Sequence, residues 1–455
     1  MSANTNMKTR LIIMNFLEFA IWGCYLVSMG IYLGSVGLGA QIFWFYTAQG
    51  LVSLFMPALV GIVADKWIPA QKMLSLCHGL SAIFMLLVGW YCYQSGGDVQ
   101  FPIIFSLYTL AIAFYMPTIG LANSVAFNAL NKAGLDTVTA FPPIRVFGTV
   151  GFICAELFVN FTNFQSNYFQ FVSAGVLGLI LMCYALTMPN CPVNKGDSSQ
   201  SLAEKLGLSA FKLFQNRTMA IFFIFSMLLG VCLQITNSYG TMFIDSFRDI
   251  AEFAETWGAK NATALTAISQ ASEALCILLI PICLKRFGIK GVMLMAMLAW
   301  VIRFGFFGIG NTGSGIIWII ISCIVYGVAF DFFNVAGGLF VDQQTNKNVR
   351  SSAQGLFMIM TNGIGASVGT FLAGTFVVNR FVDMSGTKTA AENLPGWQTS
   401  WFIFAAYSLI ISILFFLIFR APKNKIADKE DLKRDIAETA GSPAGFAEDT
   451  QAPQV

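Results

Sequence analysis

Apolar runs of about 20 residues, each bounded by charged or turn residues, recur along almost the whole of this chain. A helical run of that length is long enough to cross the roughly 30 Å hydrocarbon core of a bilayer. Twelve such segments are expected, beginning near Leu11, Gln41, Lys72, Phe101, Pro142, Tyr168, Thr218, Ala262, Gly291, Gly315, Ser351 and Trp401. Composition points the same way: 11% of the residues are charged and 56% hydrophobic, whereas a soluble domain carries about 25% charged residues. The chain reads as an all-α integral membrane protein. Its first run follows Lys8 and Arg10 but carries Glu18 and Trp22 and lacks a small-residue cleavage pattern, so it reads as an uncleaved span.

Loop charge orients the segments, because Lys and Arg in short loops stay on the cytoplasmic side. Lys8 and Arg10, Lys66 and Lys72, Lys132, the basic residues of 195–217 and 285–290, Lys347 with Arg350, and the tail from Arg420 fall on one side. The opposite loops hold only Arg248, Lys260, Arg380 and Lys388. Both termini are therefore expected in the cytoplasm. The loop 190–217 is the longest on that side, and its polar centre reads as a linker. It divides the chain into six-helix halves, 1–189 and 218–420, followed by a polar tail, 421–455, read as disordered or a frayed helix. A weak repeat accompanies the division: Tyr115 and Asn123 are eight apart in segment four, as are Tyr326 and Asn334 in segment ten. Basic turns follow segments two (Asp65, Lys66) and eight (Lys285, Arg286). Paired six-helix halves are a secondary-transporter pattern, with the site at their interface.

Other chemistries find little support. The net charge of +3 is spread between apolar runs without a basic stripe, so no nucleic-acid partner is expected. Nine of the ten cysteines lie in or at the ends of apolar segments, Cys191 alone is in a loop, and no CxxC pair occurs; they read as small hydrophobes. One histidine, His78, cannot build a triad or a metal site, and it is expected to pack or hydrogen-bond near the cytoplasmic end of segment three. No Gly-rich loop followed by Lys and Ser or Thr is present to cradle ATP. An enzyme is not expected, nor a cofactor or metal.

Six ionisable residues fall inside segments: Glu18, Arg145, Glu156, Glu273, Arg303 and Asp331. Each costs roughly 2.5–3.5 kcal/mol at the bilayer centre on insertion scales, so most must face one another or water. Four acids against two bases leave a surplus of acid, and at least one carboxyl is expected to hold a proton during part of a cycle. Asp331 sits within 316–341, a 26-residue stretch otherwise free of charge.

Helical spacing sorts these residues into faces. Arg145, Thr149, Phe152 and Glu156, spaced 4, 3 and 4, fall within about 60° on segment five. Arg145 either joins that face or snorkels to the cytoplasmic interface, and Pro142 and Pro143 suit a helix start. Gln234, Asn237 and Thr241 share a face of segment seven, and Gln270 and Glu273 one of segment eight. Their amides serve either a neutral polar ligand or helix-to-helix hydrogen bonds. Tyr326, Phe330 and Asn334 run along one side of segment ten beside Asp331. Glu18, Trp22 and Tyr25 share a face of segment one, where Glu18 either lines a cavity or pairs with Arg303.

Several stretches carry a family resemblance. Gly61 to Lys66 (GIVADK) resembles the gating loop motif of the major facilitator superfamily, G-x-x-x-D-[R/K]-x-G-R-[R/K], through Gly61, Asp65 and Lys66, with Ile68 where the pattern has Gly. More specific are FPPIRVFGTVGF (141–152), MAIFFIFSMLLGVCLQITN (219–237), ISQASEALCIL (268–278), VYGVAFDFFN (325–334) and SAQGLFMIMTNG (352–363). These resemble the nucleoside:proton symporter family of that superfamily, from segment one through segment twelve.

The resemblance implies the major facilitator fold and nucleoside uptake driven by the proton gradient across the inner membrane. It implies alternating access around a central site, with one chain sufficient. By motif, the substrate residues fall on Arg145, Thr149, Phe152, Gln234, Asn237, Gln270, Glu273, Tyr326, Phe330 and Asp331; Glu18 and Glu156 lie outside the pattern. A purine or pyrimidine nucleoside is neutral, flat at the base and hydroxylated at the sugar, which suits amides, carboxylates and aromatic walls. Gln234, Asn237, Gln270 and Glu273 are expected to hydrogen-bond it, with Phe152, Tyr326 and Phe330 as walls. Asp331 is the first choice for proton carrier, Arg145 for the charge that tunes it, and Glu273 is the second candidate carrier. The rival reading is a carrier of the same superfamily for a sugar or another small polar solute.

Overall fold

The computed structural model describes residues 3–192, 208–345 and 350–420. The linker centre, Lys347 and the tail lie outside these residues, as do the side chains of Asp65, Lys66 and Arg350. The described elements are helical, with no strand among them. They are α1 (Ala3–Gly23), α2 (Met29–Ser35), α3 (Ile42–Lys66), α4 (Ala70–Gln94), α5 (Phe101–Lys132), α6 (Thr137–Phe161) and α7 (Phe169–Ala185). After the linker come α8 (Arg217–Ile235), α9 (Thr241–Ser246), α10 (Trp257–Lys260), α11 (Ala262–Cys276), α12 (Ile280–Ile309), α13 (Ile316–Gln344), α14 (Arg350–Met358), α15 (Ala366–Leu372), α16 (Asn379–Phe381) and α17 (Ala390–Ile418). π turns link α8 to α9 (Thr236–Gly240), α14 to α15 (Ile359–Gly365) and α15 to α16 (Ala373–Val378).

Nine helical stretches among the described residues are long and apolar enough to cross a bilayer, and Phe169–Ala185 is a shorter apolar helix. One of the nine, Ala262–Ile309, is 48 residues long, more than one crossing needs. It turns at Gly288, whose φ of 68° and ψ of 173° suit a residue without Cβ. That turn falls in the basic loop expected between segments eight and nine.

Three helix starts differ from the sequence expectation, the first being that of segment one, which begins at Ala3 ahead of Leu11. Segment five begins at Thr137, ahead of Pro142 and Pro143. Asp136 Oδ2 accepts hydrogen bonds there from Thr139 N (3.2 Å) and Thr139 Oγ1 (2.8 Å), so the start is made by a capping carboxylate upstream of the prolines. Segment twelve begins at Ala390, well before Trp401, because Thr389 and Glu392 form a reciprocal capping box.

Packing sets the position of α6. It crosses α1 so closely that a Cβ on Gly151 would lie 2.2 Å from Phe16 O, so only glycine fits. On its other side α6 meets α11, and α3 meets α15. Hydrogen bonds fasten these seams, those of the first near the C-terminal end of α6. Asn160 Nδ2 donates to Asn261 Oδ1 (2.8 Å), and Asn160 Oδ1 accepts from Ala264 N (3.1 Å). Thr263 Oγ1 donates to Gln165 Oε1 (2.6 Å), Asn379 Nδ2 to Ala40 O (2.8 Å) and Thr47 Oγ1 to Ser367 O (3.3 Å). Each bond joins a residue before 190–217 to one after it.

Candidate functional site

The two faces of α6 separate cleanly. Val146, Phe147, Val150 and Phe158 are exposed and apolar, as a lipid-facing stripe requires. On the opposite face Arg145 and Thr149 are half-buried, and Phe152 and Glu156 are buried. Arg145 does not snorkel to the interface. Its guanidinium carbon lies 3.8 Å from the centroid of the Phe19 ring on α1, a cation–π contact. Glu273, Tyr115, Asp331 and Glu18 lie within electrostatic range of it, none as a direct ion pair.

The other walls come from α8, α11 and α13. Gln234 closes α8, and Asn237 follows in the π turn, a form that inserts one residue into the helical ladder and recurs at functional sites. Asn237 Nδ2 donates to Gln234 Oε1 (3.0 Å), which fixes both amides and leaves the Gln234 NH₂ and the Asn237 oxygen for other partners. Thr241, expected on the same face, instead donates to Thr266 Oγ1 on α11 (3.4 Å). On α11, Gln270 and Glu273 are half-buried, and Gln270 Oε1 has no partner in the protein. On α13, the Tyr326 and Phe330 rings are stacked, 5.8 Å between centroids and 6° between planes. Asp331 beside them is buried, with Oδ2 unpaired. Glu273 and Arg145 are within electrostatic range of Asp331, and Glu273, Arg303, Asp331 and Glu156 are within range of Tyr326. The structure therefore gathers the polar residues of α6, α11 and α13 into one cluster.

Arg303 stands behind the aromatic wall. It donates to Ser322 O (2.8 Å), Ser269 Oγ (3.4 Å) and Thr236 Oγ1 (3.4 Å), and its guanidinium carbon is 4.6 Å from the Tyr326 ring centroid. A buried cation is thus satisfied without any carboxylate, and Tyr326 is held from behind. Trp22 of α1 joins the opposite wall, its ring edge-on to Phe152 at 6.3 Å. Its Nε1 is unpaired, the signal for its place having been the shared face with Glu18 and Tyr25.

Glu18 neither lines the cavity nor meets Arg303. Its Oε2 lies 2.7 Å from His78 Nε2, its Oε1 accepts from Thr118 Oγ1 (2.6 Å), and its backbone oxygen accepts from Tyr115 (2.7 Å). His78 is 1% exposed, packed inside the protein and engaged with Glu18. Sixty residues separate the pair in sequence, so spacing carried no hint of it. Gly61 of the gating loop motif lies half-buried in α3.

Against this geometry the relationships of the chain become informative. The family described as Nucleoside H+ symporter matches residues 5–424. Xanthosine permease of Escherichia coli (strain K12) is 44% identical over 414 residues, 90% of this chain and 95% of that protein. Nucleoside permease NupG of the same organism is 42% identical over 420 residues, 91% and 96% of the two chains. A crystal structure of nucleoside transporter NupG matches with a TM-score of 0.82 at 41% identity, covering 92% of this chain and 100% of that one. A bacterial homologue of the lysosomal transporter Spinster shares the fold alone, with a TM-score of 0.67 at 14% identity. The chain belongs to the nucleoside H+ symporter family and has its major facilitator fold.

Proposed function

We propose that this chain is a proton-coupled nucleoside importer of the cytoplasmic membrane, acting as a monomer by alternating access. Twelve crossings form the halves 1–189 and 218–420, with the linker 190–217, both termini and the tail 421–455 in the cytoplasm. The observation that carries the reading is the meeting of the stacked Tyr326–Phe330 pair with unpaired acceptors on Gln270 and Asp331, beside Arg145 and Glu273. The flat aromatic surface suits a base, and the amides and carboxyls suit ring nitrogens and ribose hydroxyls. This favours a nucleoside over a sugar, which has no flat ring to place there. In the positive-inside orientation the C-terminal end of α6 faces outward, and the hydrogen-bonded seams fit an outward-closed state.

In this reading Gln234, Asn237, Gln270 and Glu273 bind the substrate, and Thr149, Phe152, Tyr326 and Phe330 complete the pocket. Asp331 carries the proton, with Glu273 as the neighbouring acid. Ionised Asp331 attracts Arg145; protonated, it releases that charge and changes which arrangement of the halves is preferred. Gly61, Asp65 and Lys66 form the cytoplasmic gating loop. Uptake of radiolabelled nucleosides and sugars by right-side-out vesicles containing the protein tests this. Nucleoside should accumulate above its external concentration and fall to it when an uncoupler is added; accumulation of sugars instead, or uptake indifferent to the uncoupler, overturns the reading.

A further inference from the structure

Glu156 lies one turn beyond Phe152 on the inward face of α6, where that helix packs on α11 across the seam between the halves. It is wholly buried, and neither carboxyl oxygen has a hydrogen-bond partner in the protein or an appreciable accessible surface. No cation pairs with it. Arg145 is eleven residues back along the same helix, roughly 16 Å away, and Arg303 is occupied by Ser322, Ser269 and Thr236. The titratable groups in range of it are Glu273 from α11 and Tyr326 and Cys323 from α13. From the remaining packed helices come Glu18 of α1, held by His78 and Thr118, and Tyr115 of α5, whose hydroxyl is given to Glu18 O.

An ionised carboxylate in such a place has lost its hydration and gained nothing in return, while Glu273 adds repulsion. The neutral acid is the form a closed seam tolerates. We propose that Glu156 is a further proton-binding site of the transport cycle: it holds a proton while α6 and α11 are closed around it and releases it when the seam parts and water reaches the carboxyl. The only bond exchanged is the O–H, between Glu156 and water. Glu156 differs from Asp331 and Glu273 in lying outside the set of residues assigned to the substrate, so its proton follows the position of the halves rather than occupancy of the pocket. This inference rests on the transport reading above.

The test compares wild type with Glu156→Gln, which keeps the shape but cannot ionise, in proteoliposomes with imposed pH gradients. The reading is the share of protein open to the outside at each external pH, taken from the reaction of a membrane-impermeant thiol reagent with Ala264→Cys in each background. In wild type that share should fall as the outside is acidified, by up to about tenfold per pH unit; a pH dependence that Glu156→Gln leaves unchanged overturns the proposal. Glu156→Met, similar in volume and without polar atoms, should repeat the result and guards against an unfolded variant. If wild type moves no nucleoside, the transport reading fails, and the protonation claim is judged separately by infrared spectra of the purified protein. A protonated-carboxyl band that Glu156→Gln lacks supports the proposal, and no difference between the spectra overturns it.

Discussion

Glu18 and Glu156 stand on α1 and α6, two helices packed against each other, and both are wholly buried. Around Glu18 the protein has placed the only histidine, a threonine hydroxyl and a tyrosine, so each oxygen has a partner within 2.7 Å. Neither oxygen of Glu156 has a hydrogen-bond partner. Burial costs both acids their hydration, but only one is compensated by local hydrogen bonds. Burial therefore does not set these acids apart; the lack of fixed partners does. By that criterion Asp331, with one oxygen unpaired, groups with Glu156. Asp383, on the loop before α17, is the opposite extreme. Its exposed carboxylate accepts from Ser385 N, Ser385 Oγ, Thr387 Oγ1 and Lys388 N at 2.5–2.9 Å, and these donors hold it below the usual aspartate range.

The comparison breaks most visibly at Asp331. Asp331→Asn is expected to abolish accumulation against a gradient while leaving nucleoside exchange across preloaded vesicles; persistent uphill accumulation would remove Asp331 from proton coupling. At Glu18 the expected effect is on stability. Glu18→Ala leaves His78 buried without its partner, while Thr118 keeps Tyr115 O as an acceptor, and should cost about 1–3 kcal/mol, read as a lowered unfolding temperature of the purified protein. Glu18→Gln should restore most of it and leave unchanged the nucleoside ratio at which net flux reverses; a shifted ratio would place Glu18 among the coupled acids. The smallest effect belongs to Asp383. Because its folded value is depressed, its contribution to stability is present above the unfolded value of about 3.9 and fades as pH falls below that. Asp383→Asn should lower the melting temperature slightly at neutral pH, by an amount that holds nearly constant down to about pH 4.5.

Much of this fold was written in the length of the apolar runs, because a bilayer leaves few alternatives to a helix of fixed reach. The expected starts at Phe101 and Ala262 coincide with helix starts, and Thr218 falls one residue inside α8, where Asn216 caps the helix. Of the starts that slipped, Pro142 and Trp401 did so where a cap upstream outweighed the hydropathy signal, and Leu11 because the helix runs back through the polar residues to Ala3. The faces of α6, α11 and α13 were legible from helical periodicity alone, and the structure brings Arg145, Glu273 and Asp331 into range as that periodicity requires. What spacing could not convey were pairings across the fold. Glu18 with His78 is one; Arg303 is another, since its best acceptor is a backbone oxygen, Ser322 O, which no count of charges reveals. The π turn that carries Asn237 was equally hidden, because an inserted residue leaves no mark on composition.

The fastening between the halves is made of neutral groups: Asn160 with Asn261 and Ala264, Gln165 with Thr263, Asn379 with Ala40. Each such bond is exchanged for bonds to water on opening, at a net cost of about 0.5–1.5 kcal/mol. A latch of this kind is light, and it is blind to pH. Acidity cannot pick this lock directly; it has to act through carboxyls deeper in the protein, which is how a carrier with so weak a clasp can still be driven by protons.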